Sequence, residues 1–198
     1  MRKGDKTRQY IITKSAELFN QRGYAGASIA DIIEKTGIKK GGIYRHFTNK
    51  DELAAESFNY AASTVGRLFT EAMEQHHTAK SKLLAFLRVY DKVAEHPPFV
   101  GGCPLLNTAV ESDDSHPVLR SQAVKALEDS LIMLKSVIED GIRRGEFKAG
   151  VDAGALANFT LAILEGSIMM SKLEGDNRYI LQNIESFTVY LDQCCLEP

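Results

Sequence analysis

A chain of 198 residues with 44% apolar and 25% charged side chains is one large domain, or a small one fused to a larger. That average globular composition excludes disordered, collagen-like and low-complexity readings. The net charge of −2 hides an asymmetry: the first 50 residues hold 11 Lys and Arg against 4 Asp and Glu, and the rest hold 13 against 22. A basic head on an acidic body points to a polyanionic partner at one end, against the duller reading of a solvated positive face.

Helical periodicity dominates and strand signals are scarce, so the chain reads as all-α with about nine helices. A first helix over about 6–22 groups Ile12, Ala16 and Phe19 and stops at Gly23. Ser28 with Asp31 makes a capping box that starts a short helix over 28–35, ended by Gly37. A turn leads into a second short segment, Lys39–Phe47, with Ile43 and Phe47 one turn apart. Two short helices around a tight glycine-containing turn are a helix-turn-helix. Thr48 and Asp51 predict the start of a long helix running to about Gln75, which bolts head to body.

In the body, a helix over about 79–95 is expected to end at Pro97-Pro98, followed by an irregular 99–114 stretch with a short helix at Pro104–Val110. The next helix, from Pro117 to Gly145, carries Val124, Leu127, Leu131, Leu134, Ile138 and Ile142 as an expected core stripe. The helix at about 152–173 is apolar on nearly every face, with Glu165 the one charged residue between 153 and 171. Such a helix is buried on more than one side. The last helix, about 177–195, shows Ile180, Ile184, Phe187, Leu191 and Cys194. A second copy packed across a two-fold axis covers both C-terminal helices economically, so a homodimer through them is expected.

Membrane, metal and secretion readings are weak. The stretch 153–171 contains Asn158, Thr160, Glu165 and two serines, so no membrane partner is expected. Met1–Arg8 is charged and leads into an amphipathic pattern, which makes a cytoplasmic protein the default. Cys103 stands alone, Cys194 and Cys195 are adjacent, and no CxxC occurs, so neither a disulfide framework nor a metal or other cofactor is expected. Neither glycine pair, 41-42 or 101-102, follows a strand as a phosphate-cradling loop requires.

The run Ile11-Ile12, Ala16, Leu18-Phe19, Gly23-Tyr24, Ser28-Ile29, Asp31-Ile32, Thr36-Gly37-Ile38, Lys40-Gly41, Ile43-Tyr44, His46-Phe47, Lys50 and Leu53 resembles the tetracycline-repressor (TetR) family of bacterial transcription regulators. The resemblance covers about a quarter of the chain in detail; the body shares helix order and the Gly145–Phe147 passage. It implies a DNA-binding domain at 1–50 and an all-helical effector-binding and dimerisation domain at 51–198. The implied partner is a double-stranded DNA operator, with release by a small-molecule effector. Tyr44 and Lys50 are then phosphate contacts, joined by Ser28 and His46. Lys39 and Lys40 point toward base edges or nearby phosphates, and Gly41 permits close approach of backbone to the duplex. No catalytic residue is implied.

The sequence departs from the family pattern at Lys39, where a capping Ser or Thr is usual, and at Gly42, where a small hydroxyl residue is usual. A lost cap costs about 0.5–2 kcal/mol and an internal glycine about 1 kcal/mol, so the recognition helix is expected to be marginal alone and to firm up on DNA. Displacement of the long helix by an effector would change the separation of the two recognition helices in a dimer, whose half-sites lie about one helical turn apart. Pocket candidates are Phe86, Tyr90, Phe99, Cys103, Asn107 and Glu165. Cys103 also raises a redox or electrophile switch, or a thiol enzyme with His96 or His116; a helical adaptor dimer is the third alternative but leaves the basic head unexplained.

Overall fold

The computed structural model describes residues 3–196, apart from the side chains of Lys3 and Cys194, so the last member of the C-terminal stripe lies outside the described side chains. Among the described residues the chain forms nine α-helices and no named strand. They gather into two compact units, one made by the chain up to Val65 with Phe99–Ala126, the other by Gly66–Pro98 with the chain from Leu127.

The first unit holds α1 (Lys3–Gly26), α2 (Ile29–Thr36), α3 (Lys40–Ile43), the larger part of α4 (Lys50–Glu74), α6 (Pro104–Ser112) and the start of α7 (Pro117–Arg143). α1 breaks at Gly23, whose φ of 75° and ψ of 169° leave the helical region, and one further turn reaches Gly26. Ile11, Ile12 and Leu18 pack with Ala27, Ile32, Ile43, Phe47 and Leu53. A second cluster joins Ala54 and Phe58 of α4 to Leu119 and Ala123 of α7, with Phe19 packed against both clusters.

The second unit holds the last turns of α4, α5 (Ala79–Arg88), the rest of α7, α8 (Ala153–Glu174) and α9 (Arg178–Tyr190). Phe69 of α4 stacks on Phe86 of α5 with ring centres 4.1 Å apart. α8 packs on α9, and α5 contacts both. By length and hydropathy alone α8 would suffice to cross a membrane. Its buried residues include Thr160, Ser167 and Ser171 beside Leu156, Leu161, Leu164 and Ile168, which is the pattern of a core helix. Phe159, Met169 and Leu173 of α8 and Leu181, Val189 and Tyr190 of α9 remain exposed on the single chain.

Several boundaries differ from the periodicity, each for a local reason. α5 stops at Arg88, not near residue 95. Beyond it the chain winds in tighter turns, with Tyr90 N–H bonding Leu87 O and Val93 N–H bonding Tyr90 O. α4 is capped by Asn49, whose side chain accepts from Glu52 N–H at 2.8 Å; Thr48 N–H donates to Glu52 and Asp51 turns elsewhere. α6 runs to Ser112, two residues past the expected end, and α9 gives way at Leu191–Cys195 to a wider, π-type turn. On α7, Leu134 and Ile138 are fully buried, but Val124 is 41% and Leu127 40% exposed, so the stripe is core only in its later half.

Candidate nucleic-acid interface

Local chemistry sets the helix pair α2–α3. Ser28 Oγ accepts from Asp31 N–H at 3.2 Å and the Asp31 carboxylate accepts from Ser28 N–H at 2.7 Å, the two halves of a capping box. The Ser28 hydroxyl, then its amide, hold the Asp31 carboxyl below its ordinary value. α2 ends at Gly37, whose φ of 70° suits glycine and whose N–H bonds Ile33 O at 2.8 Å. Thr36 Oγ1 donates to Ile32 O and accepts from Ile38 N–H, which fixes the turn.

α3 is a single turn, Lys40–Ile43, followed by a hydrogen-bonded turn to Phe47, and is shorter than the expected Lys39–Phe47 segment. Lys39 stands at its N-cap with extended backbone and no side-chain cap bond. What holds the segment is burial, since Ile43 is 1% and Phe47 2% exposed. Two such side chains contribute roughly 1.5–3 kcal/mol each, enough to outweigh a missing cap and a glycine. A Cβ at Gly42 would lie 2.7 Å from Ile38 Cγ2, so the glycine has a packing reason. A Cβ at Gly41 would meet nothing within 4 Å, which leaves the outer face of the turn open.

Ser28, Lys39, Lys40, Gly41 and Tyr44 are exposed, and His46 is half-buried beside Phe47. Lys40 Nζ lies 6.0 Å from the centre of the Tyr44 ring. Lys50 is placed differently: its Nζ donates to Tyr24 O at 2.5 Å and sits 4.0 Å from the Tyr24 ring centre. Burial pushes its pKa down, against the opposing pull of Glu111, Asp51 and Asp31.

Many of the head's cations are already paired. Arg8 meets Glu56 and Glu52, Lys14 and Lys35 share Glu17, and Arg22 binds Asp31. Lys6, Lys39, Lys40 and Arg45 are exposed and make no ion pair among the described residues. Arg45 is not among the contacts that the sequence pattern implies; a cation between Tyr44 and His46 in the turn after α3 is the signal that marks it.

Behind this surface, Tyr24 is a junction. Its phenol donates to Asp51, its carbonyl accepts from Lys50, and its ring meets the His116 ring edge-on at 4.4 Å. His116 Nδ1 accepts from Leu119 N–H at 3.3 Å and Nε2 lies 3.6 Å from Asp51, so neither nitrogen is a free base for Cys103. His96 belongs to the other compact unit.

The pocket candidates divide between the units. Phe86, Tyr90 and Glu165 belong to the second, the first two fully buried and Glu165 half-buried on α8. Phe99, Cys103 and Asn107 belong to the first. Phe99 packs edge-on against Tyr60, Cys103 is a buried N-cap of α6, and Asn107 Nδ2 donates to Asn20 O, Asn20 Oδ1 and Gly101 O at 3.0–3.1 Å. Asn107 also lines a cavity of about 30 Å³ with Asn20, Ser57, Thr108 and Glu111 on its polar side and Phe19, Phe58 and Leu119 on its apolar side. That is room for about one water.

Residues 11–57 match the family of bacterial regulatory proteins designated tetR, and residues 79–187 match the tetracyclin repressor-like C-terminal domain. A crystal structure of a TetR transcriptional regulator from Chloroflexus aurantiacus J-10-FL is 39% identical with a TM-score of 0.95, covering 100% of both chains. A TetR-family transcriptional regulator from Cytophaga hutchinsonii is 35% identical with a TM-score of 0.92, covering 97% of this chain and 96% of that one. The HTH-type transcriptional repressor DhaR of Mycobacterium sp. (strain GP1) is 24% identical over 169 residues, 84% of this chain and 83% of its own.

Proposed function

The chain belongs to the tetR family of bacterial regulatory proteins, and from that premise we propose that it is a cytoplasmic homodimeric repressor released from its double-stranded DNA operator by a small-molecule effector. Residues 1–50 bind DNA, and 51–198 bind the effector and dimerise. The observation that carries the reading is the group of exposed, unpaired cations Lys39, Lys40 and Arg45 around the open face at Gly41. Each cation that neutralises a phosphate releases counterions, and two copies in a dimer double the effect.

In this reading Tyr44, Ser28, His46 and Arg45 contact phosphates, and Lys39 and Lys40 reach base edges or neighbouring phosphates. Lys50 keeps Tyr24 in place and offers its remaining N–H donors to a phosphate. With glycine at 41 and 42, few side chains read bases, so DNA shape carries much of the specificity. The exposed apolar residues of α8 and α9, Phe159, Met169, Leu181 and Val189 among them, support dimerisation through those helices. Phe86, Tyr90, Phe99, Cys103, Asn107 and Glu165 remain the effector candidates. At 4% exposure Cys103 is shielded from oxidants, so the structure lends the redox alternative little support.

The test is selection of bound fragments from random DNA, then retardation of the recovered duplex at ~0.15 M salt, where a specific binder keeps its sequence preference. A compound screen for release follows. Equal retention of all duplexes, or none, overturns the proposal.

A further inference from the structure

The break at Gly23 makes it the cap of a fresh turn: Gly23 O accepts from Ala27 N–H, which leaves the amides of Tyr24 and Ala25 without helical acceptors. The Glu111 carboxylate, projecting from α6, takes both, at 2.6 Å and 2.8 Å. A Cβ at position 23 would lie 2.7–2.9 Å from that carboxylate, and φ there is 75°, so the contact and the glycine require each other. One turn earlier on both helices, Asn107 of α6 donates to Asn20 O of α1 at 3.0 Å. The two helices therefore meet at two polar rungs.

We infer that Glu111 is a positioning residue for DNA binding: from α6 it caps the turn that carries Tyr24, and through Tyr24 it sets Lys50 and the approach to α2. The Tyr24 carbonyl holds the Lys50 ammonium and the Tyr24 phenol holds Asp51, the first two residues of α4. The same carboxylate helps keep the partly buried Lys50 charged. α6 thus grips the DNA-facing helices directly, without passing along α4. The inference rests on the reading of α2–α3 as the DNA contact.

The experiment uses the full chain and a duplex selected from random DNA. Glu111→Gln keeps the volume but has one acceptor and turns an NH₂ toward the second amide. Expected are a loss of operator affinity of about five-fold or more and faster hydrogen exchange at the Tyr24 and Ala25 amides by about ten-fold, with the amides of α8 unchanged. A purely structural role would speed exchange and leave affinity intact, and that result overturns the inference. A parent that binds no duplex sinks the DNA-binding reading and this inference together; a parent that binds, matched by an equally tight Glu111→Gln, sinks the inference alone. Should Glu111→Gln fail to fold, Glu111→Asp, shorter by one methylene, takes its place: weakened operator binding supports the inference, and parental affinity overturns it.

Discussion

The phenol of Tyr24 donates a hydrogen bond to the carboxylate of Asp51, 27 residues along the chain. Burial first, then this bond, push the phenol up to about 12, and the same bond is the chief reason Asp51 lies below its ordinary value. Asp31, lowered by Ser28, and Glu52, lowered by the Thr48 amide, shift the same way. A depressed carboxyl stabilises the fold above its unfolded value and loses that contribution as pH falls through its folded one. Stability in urea is therefore expected to decline once pH drops below the ordinary carboxylate range, and Asp51→Asn should flatten that decline. At the alkaline end the sign reverses: the raised Tyr24 stabilises fully below its unfolded value near 10 and loses this as pH climbs toward about 12. Tyr24→Phe should flatten the alkaline limb and remove one step near pH 12 from a phenolate absorbance titration.

Gly42 and Ile38 form a steric pair, and a double-mutant cycle exposes it. Gly42→Ala alone gains up to about 1 kcal/mol of helix propensity, but its methyl meets Ile38 Cγ2, and the net effect is expected to be a loss. Ile38→Leu removes that γ-methyl, so the double variant should be more stable than the sum of the singles predicts, by about 1 kcal/mol. Additive unfolding energies would contradict this packing.

Cations that are already paired should matter less on DNA than those that are not. In a dimer, Arg45→Ala removes two phosphate contacts and should lower the slope of log affinity against log salt by roughly 1.8. Arg22→Ala, which deletes a partner of Asp31, should leave the slope unchanged. Filter binding across a salt series decides between them.

Phe159 and Leu181 are 43% and 44% exposed on the single chain. If α8 and α9 pair across a two-fold axis, Phe159→Glu with Leu181→Glu buries two unpaired carboxylates per subunit and should yield a monomer by sedimentation. Operator affinity should then fall by at least about 100-fold, because both half-sites are no longer held by one particle. A variant that sediments as a dimer rules this interface out.

The local signals were legible and the remote ones were not. Ser28 with Asp31, and the stops at Gly23 and Gly37, are settled by neighbours within a few residues, and the structure has them where the pattern puts them. The end of α5 was hidden because Tyr90 and Val93, three apart and both buried, continue an apolar spacing that tight turns imitate as well as a helix does. The stripe on α7 could be counted, but periodicity does not say what covers it, and Val124 and Leu127 proved exposed. Lys50 was readable as a charge, yet its partner Tyr24 lies 26 residues away, and Glu111 reaches Tyr24 across 87. No spacing rule spans such distances.

Glu111 directs its charge at main-chain amides, which every residue type except proline supplies. Tolerance to substitution at this joint is therefore uneven. The side chain at position 25 is free to drift; position 23 admits no branching carbon, and position 111 has no substitute with the same reach and two acceptor oxygens. A lineage can recolour the outside of this turn while its anchoring chemistry stays fixed.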